Sequence, residues 1–457
     1  MPTFISKWSV TQRLCFSFII VIFIGSLLLS QPILHYADAP QTSYFDHLFN
    51  VVSMVCVTGL SVFAVGDVYN GYGQVLVMLL MQIGGLGLVT LIAISSFVLH
   101  RKMNLSDQTL LQSALSRDSG QDLKRFLYFV YQFTFLIESL AAAILMIDFI
   151  PRFGIGHGIF NAIFLAISAF CNAGFDNLGS SSLQQYTTNP IINLTLIGLI
   201  IAGSLGFGVW RDLLKCIQRY RTQQPKRLSS LFRSLTTQSR LVLKTTAIIL
   251  ILGTAISWLL EYQNAKTIGQ LSPLEQLMTS FFQTVTMRTA GFATIDFENA
   301  NPATNFIYMM QMVMGGAPGG TAGGIKITVI AIIALLFKAE LSGQTEVNFN
   351  HRTIDYRMIK QTLTVIIFFF TMMMIGYLLL LLFETKINPF RLLFETASAI
   401  ATVGVSMNVT PELSPAGRFI IMILMFIGRV GPITVLLSLL QRKEQTVHYA
   451  KSTISLG

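Results

Sequence analysis

Gly59, Gly174, Gly291 and Gly404 follow one another at intervals of 115, 117 and 113 residues, each inside a short apolar stretch: VTGL at 57–60, NAGF at 172–175, TAGF at 289–292 and TVGV at 402–405. A phenylalanine stands ten positions before each glycine (Phe49, Phe164, Phe281, Phe394), and Phe45, Phe160, Leu277 and Phe390 stand fourteen before. That i, i+4 pairing puts two apolar positions on one face of a short helix running up to each glycine. Glycine lacks a Cβ and tolerates backbone angles that aim carbonyl oxygens in one direction. Several such segments about one axis can offer rings of carbonyls that replace the hydration shell of a cation. One copy alone reads as a helix C-cap glycine. Four copies in register point to a pore lined by Val57, Thr58, Gly59 and Leu60; Asn172, Ala173, Gly174 and Phe175; Thr289, Ala290, Gly291 and Phe292; and Thr402, Val403, Gly404 and Val405.

Such segments need a surrounding frame, and composition says which. With 53% hydrophobic residues, 11% charged residues and a mean hydropathy of +0.64, the 457-residue chain lies outside the soluble range and reads as a polytopic membrane protein. Stretches near the roughly 20 apolar residues needed to span a bilayer occur at 14–34, 75–99, 126–150, 191–209, 241–260, 365–383 and 419–440. An eighth, interrupted span joins 304–314 to 325–337. The first run, followed by YADAP at 36–40, is longer than a signal-peptide core and is read as a membrane helix. Each glycine segment falls between two spans, so the expected fold is all-α: four copies of span, short re-entrant helix, glycine segment and span around one pore.

The repeats are expected at 1–100, 126–215, 241–338 and 361–440, joined by linkers at 101–125, 216–240 and 339–360 and ending in a tail at 441–457. The net charge of +10 is concentrated at 101–125, 211–244 and 338–360, which become the cytoplasmic loops by the positive-inside rule and put both termini in the cytoplasm. That placement favours membrane topology over nucleic-acid binding. The opposite side is acidic, with Asp46, Asp67, Asp176, Glu261, Asp296, Glu384, Glu395 and Glu412 among its charges, read mainly as solvated loop charge that can also raise local cation concentration. Cys15, Cys56, Cys171 and Cys216 form no close pair, and the histidines show no metal-ligand spacing. No enzyme constellation of paired carboxylates, Cys/His or metal ligands falls within the spans.

The interruption itself reads GGAPGGTAGGIK at 315–326. Irregular backbone at membrane depth is tolerated only inside protein or beside a cavity, because its amides otherwise go unsatisfied. A phosphate-binding loop is excluded because Ile325 separates Gly324 from Lys326 and no soluble strand precedes it. A passive helix kink is the plainer alternative. Among charges inside the apolar frame, Glu138 is expected to hydrogen-bond between helices, while Lys326 is either a partner of the loop or a snorkelling side chain. Three positions before the glycines stand Cys56, Cys171, Arg288 and Ala401. Their types differ, so they are expected to face away from the pore, with Arg288 paired behind it.

The set VTGL, NAGF, RTAGF, TVGVS, PELSPAGR and FIGRVGP resembles the TrkH/KtrB/HKT superfamily of potassium transporters along nearly the whole chain. The resemblance implies four pseudo-symmetric M1–P–M2 repeats, eight transmembrane and four re-entrant helices, with the four glycines forming a potassium-preferring filter. It implies that Gly315, Gly316, Ala317, Pro318, Gly319, Gly320, Thr321, Ala322, Gly323 and Gly324 form an intramembrane gate below that filter, with Arg429 facing the cavity beside it and Lys326 at its end. It further implies a homodimer in the bacterial cell membrane, resting on a cytosolic KtrA-type (RCK) ring that carries the regulatory nucleotide and docks on 101–125, 211–244 and 441–457. No covalently bound cofactor is expected; K⁺ is the substrate and Na⁺ a possible activator. Pro318, Gly319 and Gly320 depart toward an NtpJ-like branch, for which Na⁺ transport or Na⁺/K⁺ symport is the alternative. Alternating access is disfavoured by fourfold repetition.

Overall fold

A computed structural model describes residues 10–87, 123–179, 181–222 and 234–431, and among these the regular elements are helices apart from one hairpin of two two-residue strands, Asn348–Phe349 with Arg352–Thr353. Four outer helices start the repeats: α1 (Val10–Leu29), α4 (Leu123–Phe153), α8 (Thr237–Glu261) and α12 (Tyr356–Phe383). A short helix follows each: α2 (Tyr44–Val55), α5 (Ile155–Cys171), α9 (Pro273–Thr286) and α13 (Pro389–Ala401). After each glycine segment come the inner helices: α3 (Gly71–Leu86), α6 (Pro190–Ser204) continuing into α7 (Phe207–Thr222), α10 (Pro302–Val313) resumed as α11 (Ile327–Leu341), and α14 (Pro415–Val430).

Local sequence explains where these helices begin. Asn-Pro and Ser-Pro pairs open α6, α9, α10, α13 and α14. Proline at the first helical position gives up an N–H that would have no partner there, and before α6, α13 and α14 the side-chain oxygen of Asn189, Asn388 or Ser414 accepts from the first-turn amides. Asn70 caps α3 in the same way, accepting from the amides of Tyr72 and Gly73. The phenylalanines of the repeat face inward as expected: Phe49, Phe164 and Phe394 are fully buried. Phe281 is half-buried, and Leu277 lies exposed on the outer side of α9.

Packing closes the four repeats into a ring. Each outer helix packs on its own short helix, while each inner helix packs on the short helix of the next repeat: α3 on α5, α6 on α9, α10 on α13, and α14 back on α2. Apolar side chains cover the outside of the ring, including Phe135, Leu136 and Ile147 of α4, Ile251 and Leu259 of α8, and Ile367 and Leu382 of α12. Water does not favour such a surface, and hydrocarbon does.

The inner helices correct the sequence reading. Continuous spans over 75–99, 191–209 and 419–440 are not what the chain forms: α3 stops at Leu86, α6 at Ser204 and α14 at Val430. Glycines of positive φ follow the stops, Gly87 at 79°, Gly206 at 83° and Gly431 at 91°, and α6 and α7 meet at a bend of 99°. Among the described residues, α4, α8 and α12 alone have the length and apolarity to cross a bilayer unbroken. The remainder of 75–99 and 419–440, and the linker expected at 101–125, lie largely outside the described residues.

Candidate ion passage and the loop beneath it

Each short helix ends in a way that lifts a carbonyl toward a common centre. In three repeats the helix closes with a left-handed residue, Val57 (φ 55°), Asn172 (58°) or Thr402 (52°), and the next amide reaches back five residues: Thr58 to the Ser53 carbonyl at 2.8 Å, Ala173 to Ser168 at 2.8 Å, Val403 to Ser398 at 2.9 Å. This is the Schellman pattern with a side chain where glycine usually sits. The third repeat keeps the left-handed residue, Thr289 (64°), but the Ala290 amide bonds to Thr286 four residues back, at 2.9 Å. Left-handed backbone at β-branched Val57, Thr289 and Thr402 costs on the order of 1–3 kcal/mol each, strain that surrounding structure must hold in place.

Hydroxyls within the short helices supply part of that hold. Ser53 Oγ accepts from the Gly59 amide and Ser398 Oγ from the Gly404 amide, both at 3.0 Å; Ser168 Oγ accepts from the Phe175 amide at 3.0 Å, and Thr286 Oγ1 donates to the Phe292 carbonyl at 2.7 Å. Sequence reasoning missed these residues. Their signal was present as Ser six positions before the glycine in three copies and Thr five before it in the third.

The four glycines meet. A Cβ placed on Gly59 would stand 3.0 Å from the Ala173 carbonyl oxygen and 3.2 Å from the Cα atoms of both Gly174 and Gly404. On Gly174 it would be 2.8 Å from the Ala290 oxygen and 2.7 Å from the Gly291 Cα; on Gly291, 2.9 Å from the Val403 oxygen; on Gly404 it would overlap the Thr58 oxygen. The carbonyls of Thr58, Ala173, Ala290 and Val403 therefore interleave with the glycines around one constriction. All four glycines have positive φ, from 72° to 103°. The following residues, Leu60, Phe175, Phe292 and Val405, are buried, and Leu60, Phe175 and Val405 border the cavity on the outer side of the constriction. With the short helices ending here, the negative ends of their dipoles converge on it as well, favouring a cation.

On the outer side a cavity of about 300 Å³ is lined by all four glycines together with Asp176, Ser182, Asp296 and Ser406. Burial pushes the Asp176 carboxyl up to about 6, with Asp67 adding to the rise against hydrogen bonds from the Leu178 amide and Ser182. Three other carboxylates on this side are not the solvated loop charges expected. Glu261, Glu384 and Glu395 are buried and tie loops down. Glu261 accepts from the Asn301 amide at 2.8 Å, Glu384 from the Ser414 amide at 2.8 Å, and Glu395 from the hydroxyls of Ser406, at 2.6 Å, and Thr410.

On the inner side the constriction is covered by residues 315–324. Thr289 Oγ1 accepts from the Gly323 amide at 3.2 Å, and a Cβ on Gly323 would overlap Thr402 Oγ1. Thr321 Oγ1 donates to the Phe170 carbonyl at 3.0 Å. The other end of the loop is pinned to the α6–α7 bend: the Ala317 amide to Ser204 at 2.8 Å, Thr321 to Gly203 at 3.1 Å, and the Phe207 amide to Gly319 at 3.1 Å. The ends of the loop are drawn together where the Gly315 amide meets the Ile325 carbonyl at 2.9 Å.

Arg429 of α14 donates to the Thr321 carbonyl and to those of Gly84 and Gly85, the last at 3.1 Å, so one guanidinium joins the loop to two inner helices. Lys326 Nζ donates to the Ala322 carbonyl at 2.7 Å, which makes it a partner of the loop. Glu138 accepts from Gln82 Nε2 at 3.1 Å across α4 and α3, an interhelical hydrogen bond as expected. Cys56, Cys171, Arg288 and Ala401 are all buried. The expected pairing of Arg288 fails: its guanidinium nitrogens have no hydrogen-bond partner among the described residues.

The stops in the inner helices carry a signature the spans concealed. Gly84, Gly203 and Gly428 lie against the carbonyls of Val55, Phe170 and Ile400, the residues four before Gly59, Gly174 and Gly404, so closely that a Cβ would overlap the oxygen. Three residues later come Gly87, Gly206 and Gly431, where the helix has stopped. G-x-x-G thus marks contact and then break in the first, second and fourth repeats, and the Gly-rich loop is the third repeat's longer version of the same interruption.

Residues 5–448 match the family described as TrkH, cation transport protein. The chain is 34% identical over 452 residues to the Ktr system potassium uptake protein B of Bacillus subtilis, covering 99% of this chain and 97% of that protein. It is 35% identical over 457 residues to the potassium/sodium uptake protein NtpJ of Enterococcus hirae, covering 99% and 98%. The crystal structure of the potassium transporter TrkH from Vibrio parahaemolyticus superposes with a TM-score of 0.70 at 18% identity, over 93% of this chain and 84% of that one.

Proposed function

The chain belongs to the TrkH family of cation transport proteins, and from that premise we propose that it is the ion-conducting membrane subunit of a potassium-uptake system. The observation that carries the reading is the meeting of Gly59, Gly174, Gly291 and Gly404 with the carbonyls of Thr58, Ala173, Ala290 and Val403 interleaved between them. K⁺ enters the outer cavity, exchanges water for carbonyl oxygens at the constriction, and passes inward when residues 315–324 move aside, down its electrochemical gradient. The repeats serve as four domains at 1–100, 126–215, 241–338 and 361–440.

The assembly we propose is a homodimer in the bacterial cell membrane with both termini cytoplasmic, regulated from below by a nucleotide-binding ring, with Na⁺ as an activator. Similarity to proteins named as components of Ktr systems supports a multi-component transporter. A second reading, Na⁺ or Na⁺/K⁺ transport, is favoured by the similarity to NtpJ and by the Pro318-Gly319-Gly320 run.

Complementation of a potassium-uptake-deficient bacterium, with and without a ring subunit, tests both. The wild-type chain is expected to restore growth on low potassium, Gly404→Ser to lose discrimination against sodium, and deletion of 317–323 to give a leaky, ring-independent pathway. Unchanged transport in both variants rejects filter and gate. Sodium uptake without potassium uptake selects the second reading.

A further inference from the structure

We propose that α7 lies on the cytoplasmic surface of the bilayer, that its basic side binds anionic phospholipid headgroups, and that this contact is transmitted to the loop at 315–324. The inference rests on the reading of that loop as a gate. Its first support is geometric. Helix α6 has 15 residues, about 22 Å at 1.5 Å per residue, against a hydrocarbon core of about 30 Å. Starting from the outer edge, α6 ends about 8 Å short of the inner one, and there the chain turns by 99° into α7. A helix lying flat at that depth occupies the boundary where interfacial helices bury an apolar face about 5–10 Å into the acyl region.

The faces of α7 fit that position. Val209, Leu213, Cys216 and Tyr220 turn toward the protein, buried or half-buried, and the Asp212 carboxylate ties the helix to α8 by accepting from the Thr236 amide and hydroxyl at 2.9 Å. Leu214 and Ile217, one turn apart, are 45% and 44% exposed. At 100° per residue they share a face distinct from that of Lys215 and Arg219; all four are exposed, as is Arg221, which falls on the Leu214 and Ile217 side in the last turn of α7. Apolar residues toward the acyl boundary, with lysine and arginine beside them, are the pattern of a helix attracted to anionic lipid.

The third support is mechanical. The first amide of α7, at Phe207, donates to the Gly319 carbonyl of the loop. Val209 shares a buried apolar cluster with Ala317 of the loop, Ile327 of α11 and Val242 of α8. A tilt of α7 on the membrane surface therefore acts on both ends of the loop.

The test uses the full chain, purified and reconstituted in vesicles of phosphatidylcholine alone or with phosphatidylglycerol, beside the variant Lys215→Gln/Arg219→Gln/Arg221→Gln. Potential-driven K⁺ flux reports the gate, and native mass spectrometry of the detergent-solubilised protein reports retained phosphatidylglycerol. Each basic residue near an anionic surface contributes about fivefold in binding, so the variant is expected to retain up to about a hundredfold less phosphatidylglycerol. Its flux is expected to match wild type in phosphatidylcholine and to lose the change that phosphatidylglycerol causes in wild type. Equal lipid retention by both proteins, or a lipid-dependent flux that the variant keeps, overturns the proposal. So does flux indifferent to phosphatidylglycerol that responds only to an added cytosolic ring, which would assign this face to protein. Absence of flux from every vesicle rejects the transport reading instead, and lipid retention still decides the role of α7.

Discussion

The glycine segments of the constriction and the glycine-rich loop beneath it are both irregular backbone in an apolar frame, yet they are held in opposite ways. Each glycine segment is tied mainly to its own short helix: Gly59 and Gly404 to serines six residues back, and Thr58, Ala173 and Val403 to carbonyls five residues back. The loop is held largely by other repeats, through Ser204 and Phe170 of the second, Arg429 of the fourth and Gly84 of the first by way of that arginine. Local hydrogen bonds persist for as long as their helix does, whereas borrowed ones part when helices shift. On the proposed reading, that difference distinguishes a fixed filter from a loop that moves aside.

The largest test of that contrast is Gly404→Ala. A Cβ there overlaps the Thr58 carbonyl and the residue sits at φ 93°, so K⁺ uptake is expected to fall at least about a hundredfold, read as rubidium uptake normalised to protein in the membrane. Arg429→Gln removes charge-assisted bonds to the loop and to α3, worth about 1.5–3 kcal/mol each, and uptake without a ring subunit should rise about tenfold or more. No rise would mean that the arginine does not hold the loop.

Ser398→Ala leaves the Gly404 amide without its acceptor. An orphaned buried donor costs about 1–3 kcal/mol, and the expected result is an approximately tenfold loss of K⁺ over Na⁺ discrimination in competition uptake, with the loop unaffected. Thr289→Val conserves shape while removing the acceptor for Gly323. At about 1 kcal/mol it should raise ring-independent leak about fivefold, and a loss of selectivity equal to that of Ser398→Ala would erase the distinction between the two regions.

The smallest effect concerns the mouth. Asp176, raised to about 6, is anionic above that pH and takes a proton as external pH falls through it. The cation concentration it draws to the cavity then drops, and the apparent KM for K⁺ should rise about twofold to threefold below pH 6. In Asp176→Asn that step should vanish from the pH profile.

Fourfold repetition, the short helix before each glycine and the polytopic class were legible in the sequence because they depend on periodicity and composition, which survive without coordinates. The Asn-Pro and Ser-Pro pairs that open α6, α9, α10, α13 and α14 act within a few residues and are legible for the same reason. Arg429 and Lys326 could be singled out as costly charges, but not the carbonyls they would find. The breaks at Gly87, Gly206 and Gly431 were hidden because hydropathy averages over a window, and one glycine hardly changes the average.

What the chain alone determined is how many times the unit repeats and which backbone positions lack a side chain. What only the tertiary structure decided is that Gly59 meets Gly404 across 345 residues of sequence, that Thr289 and Thr402 bear on Gly323, and that Arg288 lies buried without a hydrogen-bond partner among the described residues. Those outcomes depend on how α3, α6, α10 and α14 each pack on the short helix of the next repeat. Such contacts join residues with no local relation, fixed by shape, by bilayer depth and by the need of each buried amide for an acceptor.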